Sequence, residues 1–171
     1  MKRISSLLFL LFALVGCASP SSNSGYSGQD IMFAEMMIPH HEQAITMSDL
    51  ASSNSSNPAI LELANRIKTA QAPEIEEMKS WPGVDASSHM GHQMNGMLSD
   101  DEIKELEESK GGEFDRLFLE GMIKHHQGAI DMAEMVVDSR NKEVAALASA
   151  IISAQRAEIA EMKSLLRVNG D

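Results

Sequence analysis

The chain has one cysteine, one tryptophan, one tyrosine and five phenylalanines in 171 residues. A single thiol excludes an internal disulfide and any zinc or iron–sulfur site built from several thiolates. Scarce aromatics leave an interior of Leu, Ile, Ala and the thirteen Met, side chains that suit helices. Positive charge is also short, with 14 Lys plus Arg against 25 Asp plus Glu and a formal net charge of −11. A field of that sign repels nucleic acid and gathers cations. No phosphate-binding loop and no nucleophile–base arrangement is present, so the chain reads as a binding protein, with an oxidase as the enzymatic rival.

Long apolar runs are missing too. The longest stretch lies in "MKRISSLLFLLFALVGC", where about twelve residues from Ile4 to Val15 fall short of the roughly 20 that span a bilayer. A basic start, a short apolar run and small residues read as an export signal over residues 1–17. Its end, Leu14-Val15-Gly16-Cys17, resembles a bacterial lipobox, which makes Cys17 a lipidated membrane anchor. Residues 18–28, rich in Ser and Gly, read as a flexible tether. The remainder, about 29–168, is one domain.

That domain is internally duplicated. "DIMFAEMMIPHHEQAITM" from Asp30 aligns without a gap on "DRLFLEGMIKHHQGAIDM" from Asp115, and "QAPEIEEMKS" from Gln71 on "QRAEIAEMKS" from Gln155. The repeats span about 30–81 and 113–167, joined by a linker at 82–112. Apolar spacing predicts a helical hairpin in each: helices from near 30 to the early fifties and from 58 to 80, then 113–139 and 141–167. Ser99 with Glu102 predicts a capping box opening a short helix in the linker. Two duplicated hairpins imply an all-α four-helix bundle with an approximate twofold axis; an extended helical solenoid is the alternative.

The histidines mark the chemistry. On a wheel of about 100° per residue, His40 and His41 lie on or beside the apolar face with Met37 and Met47, as do His125 and His126 with Met122 and Met132. A lone histidine there is ordinarily a packed core residue. A duplicated pair between methionines points instead to metal, and imidazole with thioether selects copper, above all Cu(I), with Ag(I) as its surrogate. One histidine of each pair can face the bundle axis while its neighbour reaches a groove beside the next helix. The partner helices supply Gln71, Glu74 and Met78, and Gln155, Glu158 and Met162, each set along one stripe. Glu74 and Glu158 either orient a ligating histidine from behind or sit at the boundary in water. In the linker, His89, Met90, His92, Met94 and Met97 suggest a second, flexible metal site, although methionines also serve as core filler.

The pattern Phe118, Met122, Ile123, His125, His126, Gly128, Ala129, Ile130, Met132, Ala133 resembles the bacterial family known as domain of unknown function 305, over roughly residues 28–167. The resemblance implies an exported protein of ferritin-like four-helix fold, in a family that includes periplasmic copper-binding proteins implicated in copper resistance. The first copy departs from the pattern at Pro39 and at Gln43, where the family has Gly. Pro39 removes a helical hydrogen bond, so the first site is expected to be the weaker. Di-iron bundles use Glu-x-x-His, whereas here Met37 or Met122 stands three residues before the leading His. The expected function is an envelope lipoprotein that sequesters Cu(I) or hands it on to copper transport or resistance proteins. A ferritin-like metallo-oxidase and a metal-free structural or adaptor bundle remain as alternatives.

Overall fold

The computed structural model describes residues 25–169, so the export signal, Cys17 and most of the tether lie outside the described residues. Five helices and no strand are found among the described residues: α1 (Gly28–Asn54), α2 (Pro58–Lys79), α3 (Asp100–Glu108), α4 (Gly112–Glu134) and α5 (Lys142–Asn169). None is long and apolar enough to cross a membrane. Helices α1 and α2 form one antiparallel hairpin and α4 and α5 the other, with α1 set against α4.

The boundaries follow from local chemistry. Ser27 and Asp30 make a reciprocal capping box that opens α1, and Ser99 and Glu102 make the expected one at α3. Each satisfies two of the backbone donors a helix start leaves over. Pro58 occupies the first turn of α2, where its missing N–H costs nothing. Helix α1 runs unbroken through Pro39 and α2 through Pro73.

Two boundaries differ from the sequence expectation. Helix α4 stops at Glu134 and not near 139, because Met135 and Val136 donate to Met132 and Ala133, tightening the chain into turns. The tether ends before Gly28: Tyr26 lies against Trp81 with ring centroids 5.2 Å apart, and Ser27 is the cap of α1.

The hairpin turns repeat each other. Ser55 Oγ accepts from Asn57 N–H and Asn57 Oδ1 from Ala59 N–H; Ser139 and Asn141 do the same, ending on Glu143 N–H. Each turn is also gripped by the other repeat. Ser55 donates to Asp115 at 2.5 Å, and Asp30 hydrogen-bonds Ser139. The aligned aspartates therefore clasp the hairpins to one another at opposite ends of the bundle.

The apolar interior falls into two clusters. One gathers Phe33, Met37, Ile38, Ile75, Met78, Met132, Val144 and Ile151; the other gathers Met47, Ile60, Leu63, Ile67, Phe114, Phe118, Met122 and Met162. Exchanging the repeats exchanges the clusters: Met37 maps on Met122, Met47 on Met132 and Met78 on Met162. The bundle has the expected approximate twofold, and a polar layer lies between the two halves.

Candidate metal centre

The layer comprises His40 and His41 from α1, Gln71 and Glu74 from α2, His125 and His126 from α4, and Gln155 and Glu158 from α5. All four histidines are completely buried. Antiparallel crossing of α1 and α4 brings His40 and His125 ring to ring, with centroids 3.8 Å apart. The second histidine of each pair turns about 100° away, toward its own hairpin partner. His41 Nε2 lies 2.9 Å from a Glu74 carboxylate oxygen, and His126 Nε2 lies 2.7 Å from that of Glu158. The adjacent histidines thus divide as their spacing requires, one at the axis and one at the interhelical seam. The seam positions are sealed and not open grooves, while the two glutamates keep about a fifth of their side-chain surface in water.

Acceptor oxygens fix the ring protons. Glu74, Glu158 and the backbone carbonyl of Asn95, 3.2 Å from His40 Nε2, each accept from an Nε2–H. Three lone pairs are then left on Nδ1, and Nδ1 of His40, His41 and His126 has no hydrogen-bond partner. His125 has neither nitrogen paired. Unpaired buried polar atoms are costly, and five ring nitrogens on four neighbouring imidazoles make a set of donors suited to a borderline or soft cation. Burial favours the uncharged form of His40 and His125. It pushes His40 down to about 3, helped by His41 close by, and holds His125 well below the ordinary histidine value, helped by His40. Neutral imidazole is the ligating form.

Thioethers stand on both sides. Met37, Met47, Met78, Met122 and Met162 are fully buried and Met132 nearly so. Among the described residues no three His, Cys, Asp or Glu side chains converge on one point; a metal shell here needs sulfur, or rotation of a ring. Gln71 and Gln155 are buried in the layer, with both amide atoms of Gln71 and the carbonyl oxygen of Gln155 unpaired.

The linker is a strap across this layer. Gln43 holds it by both backbone groups of one residue, donating to Leu98 O at 2.9 Å and accepting from Leu98 N–H at 2.8 Å. In the second repeat the aligned position is Gly128. A Cβ there would stand 2.0 Å from Asn95 O, so only glycine lets the strap lie on α4 and offer Asn95 O to His40. The departure at Gln43 is therefore a division of labour: one copy clamps the strap and the other makes room for it. Sequence reasoning missed Asn95 and this use of Gln43, although the break in the repeat at 43 and 128 was the available signal.

The strap separates the five linker residues expected to act together. Met94 is buried in the first apolar cluster and Met97 packs on it, so both are core contacts here. Met90 is 65% exposed. His89 and His92 face one another, Nδ1 to Nδ1, at 3.3 Å.

Residues 30–166 match the model of the Domain of unknown function DUF305. The chain belongs to this family. Its fold is that of a DUF305 protein from Streptomyces coelicolor assigned as secreted, at 30% identity and TM-score 0.75, over 83% of this chain and 94% of that one. A DUF305 fragment from Deinococcus radiodurans is similar at 32% identity and TM-score 0.73, over 82% and 96%. CopM in its Cu(I)-bound form is similar at 34% identity and TM-score 0.68, over 81% and 95%; CopM has also been solved with Cu(II) and with Ag bound. No curated protein matches the chain.

Proposed function

We propose that this DUF305 protein binds Cu(I) in the polar layer of its bundle, as an envelope lipoprotein anchored through Cys17 that sequesters copper or passes it on. The observation that carries the reading is the set of unpaired imidazole nitrogens in a fully buried layer flanked by thioethers. Imidazole and thioether together favour Cu(I) over harder ions, and the similarity to CopM, solved with Cu(I), Cu(II) and Ag bound, supports copper as the metal. Glu74 and Glu158 act from behind the rings, accepting from Nε2–H and presenting Nδ1 inward. Spent in this way, they are not free to form a carboxylate-bridged pair of hard metals, which disfavours a di-iron oxidase. The protein is a carrier and not a catalyst.

The two sites are unequal. Pro39 stands beside the first histidine pair, where the second repeat has Lys124, and removes a helical hydrogen bond there, so the second repeat holds copper more tightly. The test replaces His40 and His41 by Ala in one variant and His125 and His126 in another, and titrates each with Cu(I) against a competing chelator. The second variant is expected to lose the tightest site and the first a weaker one. Unchanged affinity and stoichiometry in both variants overturns the reading, and Zn(II) retained as strongly as Cu(I) by the parent chain does so too.

A further inference from the structure

The strap carries a feature the buried layer does not use. His89, Met90, Gly91 and His92 form a single tight turn, closed by His92 N–H donating to His89 O at 3.1 Å. Gly91, at φ +80°, occupies the turn position that demands a positive φ. The turn folds the two imidazoles toward each other until their Nδ1 atoms are 3.3 Å apart, with ring centroids at 5.5 Å and planes inclined by 63°.

That separation has a chemical meaning. Two imidazole nitrogens bound to one first-row metal at about 2.0–2.1 Å lie about 2.9 Å apart at a right angle and about 3.3 Å apart at a tetrahedral one. The turn therefore holds both donors at chelating distance. Behind His89 stands Glu35 of α1, one carboxylate oxygen 3.9 Å from His89 Nε2 and the other accepting from Asp85 N–H at 3.0 Å. The negative charge lies on the far side of the ring from the paired nitrogens, where it offsets a cation and favours the proton on Nε2. Glu74 and Glu158 stand behind the seam histidines on the same side but closer, at hydrogen-bond distance.

We infer that His89 and His92 form a surface chelate for a borderline divalent cation of the Cu(II) class, distinct from the buried Cu(I) layer. The paired donors of the turn are imidazole nitrogens; Met94 is buried in the core, and Met97 packs against it while also lining the groove beside His92. Nitrogen donors without a buried thioether set favour Cu(II) over Cu(I), and among first-row divalent ions Cu(II) binds tightest. Exposure at Met90 leaves the turn open to solution, whereas the histidine layer is sealed from it. The molecule thereby separates the two oxidation states by donor type, an oxidised-ion chelate on the strap and a reduced-ion layer in the core.

The test is a Cu(II) titration of the full chain under glycine competition, followed by electron paramagnetic resonance, on the parent protein and on H89Q/H92Q. The parent is expected to take up one equivalent of Cu(II) with nitrogen hyperfine structure from two imidazoles. The double variant is expected to lose that species and to bind Cu(II) at least tenfold more weakly. Gly91→Ala leaves both ligands in place and adds a Cβ that meets nothing within 4 Å, so any weakening reports the turn itself; a severalfold loss is expected. Cu(I) stoichiometry of both variants should equal the parent's, which keeps this site separate from the layer whatever becomes of that assignment. Unchanged Cu(II) binding in H89Q/H92Q shows that the 3.3 Å contact is only a histidine–histidine hydrogen bond and overturns the inference. Loss of Cu(I) instead of Cu(II) assigns the turn to the soft site and overturns it equally.

Discussion

Gly128 and Gly121 both lie inside α4, and helix propensity alone predicts that alanine stabilises either by up to about 1 kcal/mol. The strap makes the two positions opposite in sign. At Gly128 an added Cβ stands 2.0 Å from Asn95 O, 2.6 Å from Asn95 C and 2.9 Å from Gly96 Cα. These are backbone atoms, and reaching the 3.0 Å that real Cβ contacts respect requires the strap to rise by about 1 Å. Lifting it costs about 1–3 kcal/mol of overpacking and takes Asn95 O away from His40 Nε2–H, a further ~1–3 kcal/mol if that donor stays buried. After the helix gain, Gly128→Ala is expected to lose about 3 kcal/mol net and to lower the melting temperature by roughly 6–12 °C. At Gly121 the nearest atoms are the ends of side chains, Leu98 Cδ2 at 3.0 Å and Met47 Cε at 3.3 Å. These can swing aside, so Gly121→Ala should stay within about 1 kcal/mol of the parent. The assay is urea denaturation of both variants with amide hydrogen exchange along the strap. Parent-like stability and unchanged protection near Leu98 in Gly128→Ala would refute the claim that glycine is needed there for the strap.

Two further outcomes follow from burial. Met94→Ala, which empties a contact in the first apolar cluster, should cost about 2–3 kcal/mol in urea denaturation, whereas Met90→Ala at an exposed position should change stability by less than about 0.5 kcal/mol; equal costs would show that the strap does not rest on Met94. The metal-free protein should lose stability on acidification: burial depresses His40 from 6.5 to about 3 and His125 in the same direction, so the unfolded chain takes up protons first. Stability is full above about pH 6.5 and drains as pH falls from there toward 3. A urea midpoint that stays level between pH 7.5 and 4.5 would contradict the burial of neutral rings.

The repeat, the helical periodicity and the capping residues lie in the chain itself, because each depends on neighbours within a few positions. Ser99 with Glu102 and Pro58 could be read as helix starts for that reason, and the wheel put the histidines on the inner face before any contact was known. Position 40 against 125, by contrast, is decided by how α1 crosses α4, and no local pattern records a 3.8 Å ring contact between segments so far apart. The end of α4 at Glu134 escaped the periodicity because Val136 is buried from a turn as well as it would be from a helix. The linker shows the limit most clearly. Its composition suggested one flexible cluster of His and Met, but Gln43 and Gly128, both distant in sequence, hold the strap so that Met94 and Met97 turn inward while Met90 and the histidines stay at the surface. Residue type and spacing determined which donors the protein has. Only the packing of the strap on the bundle decided which of them share a neighbourhood, because that depends on backbone contacts between segments that carry no common periodic signal.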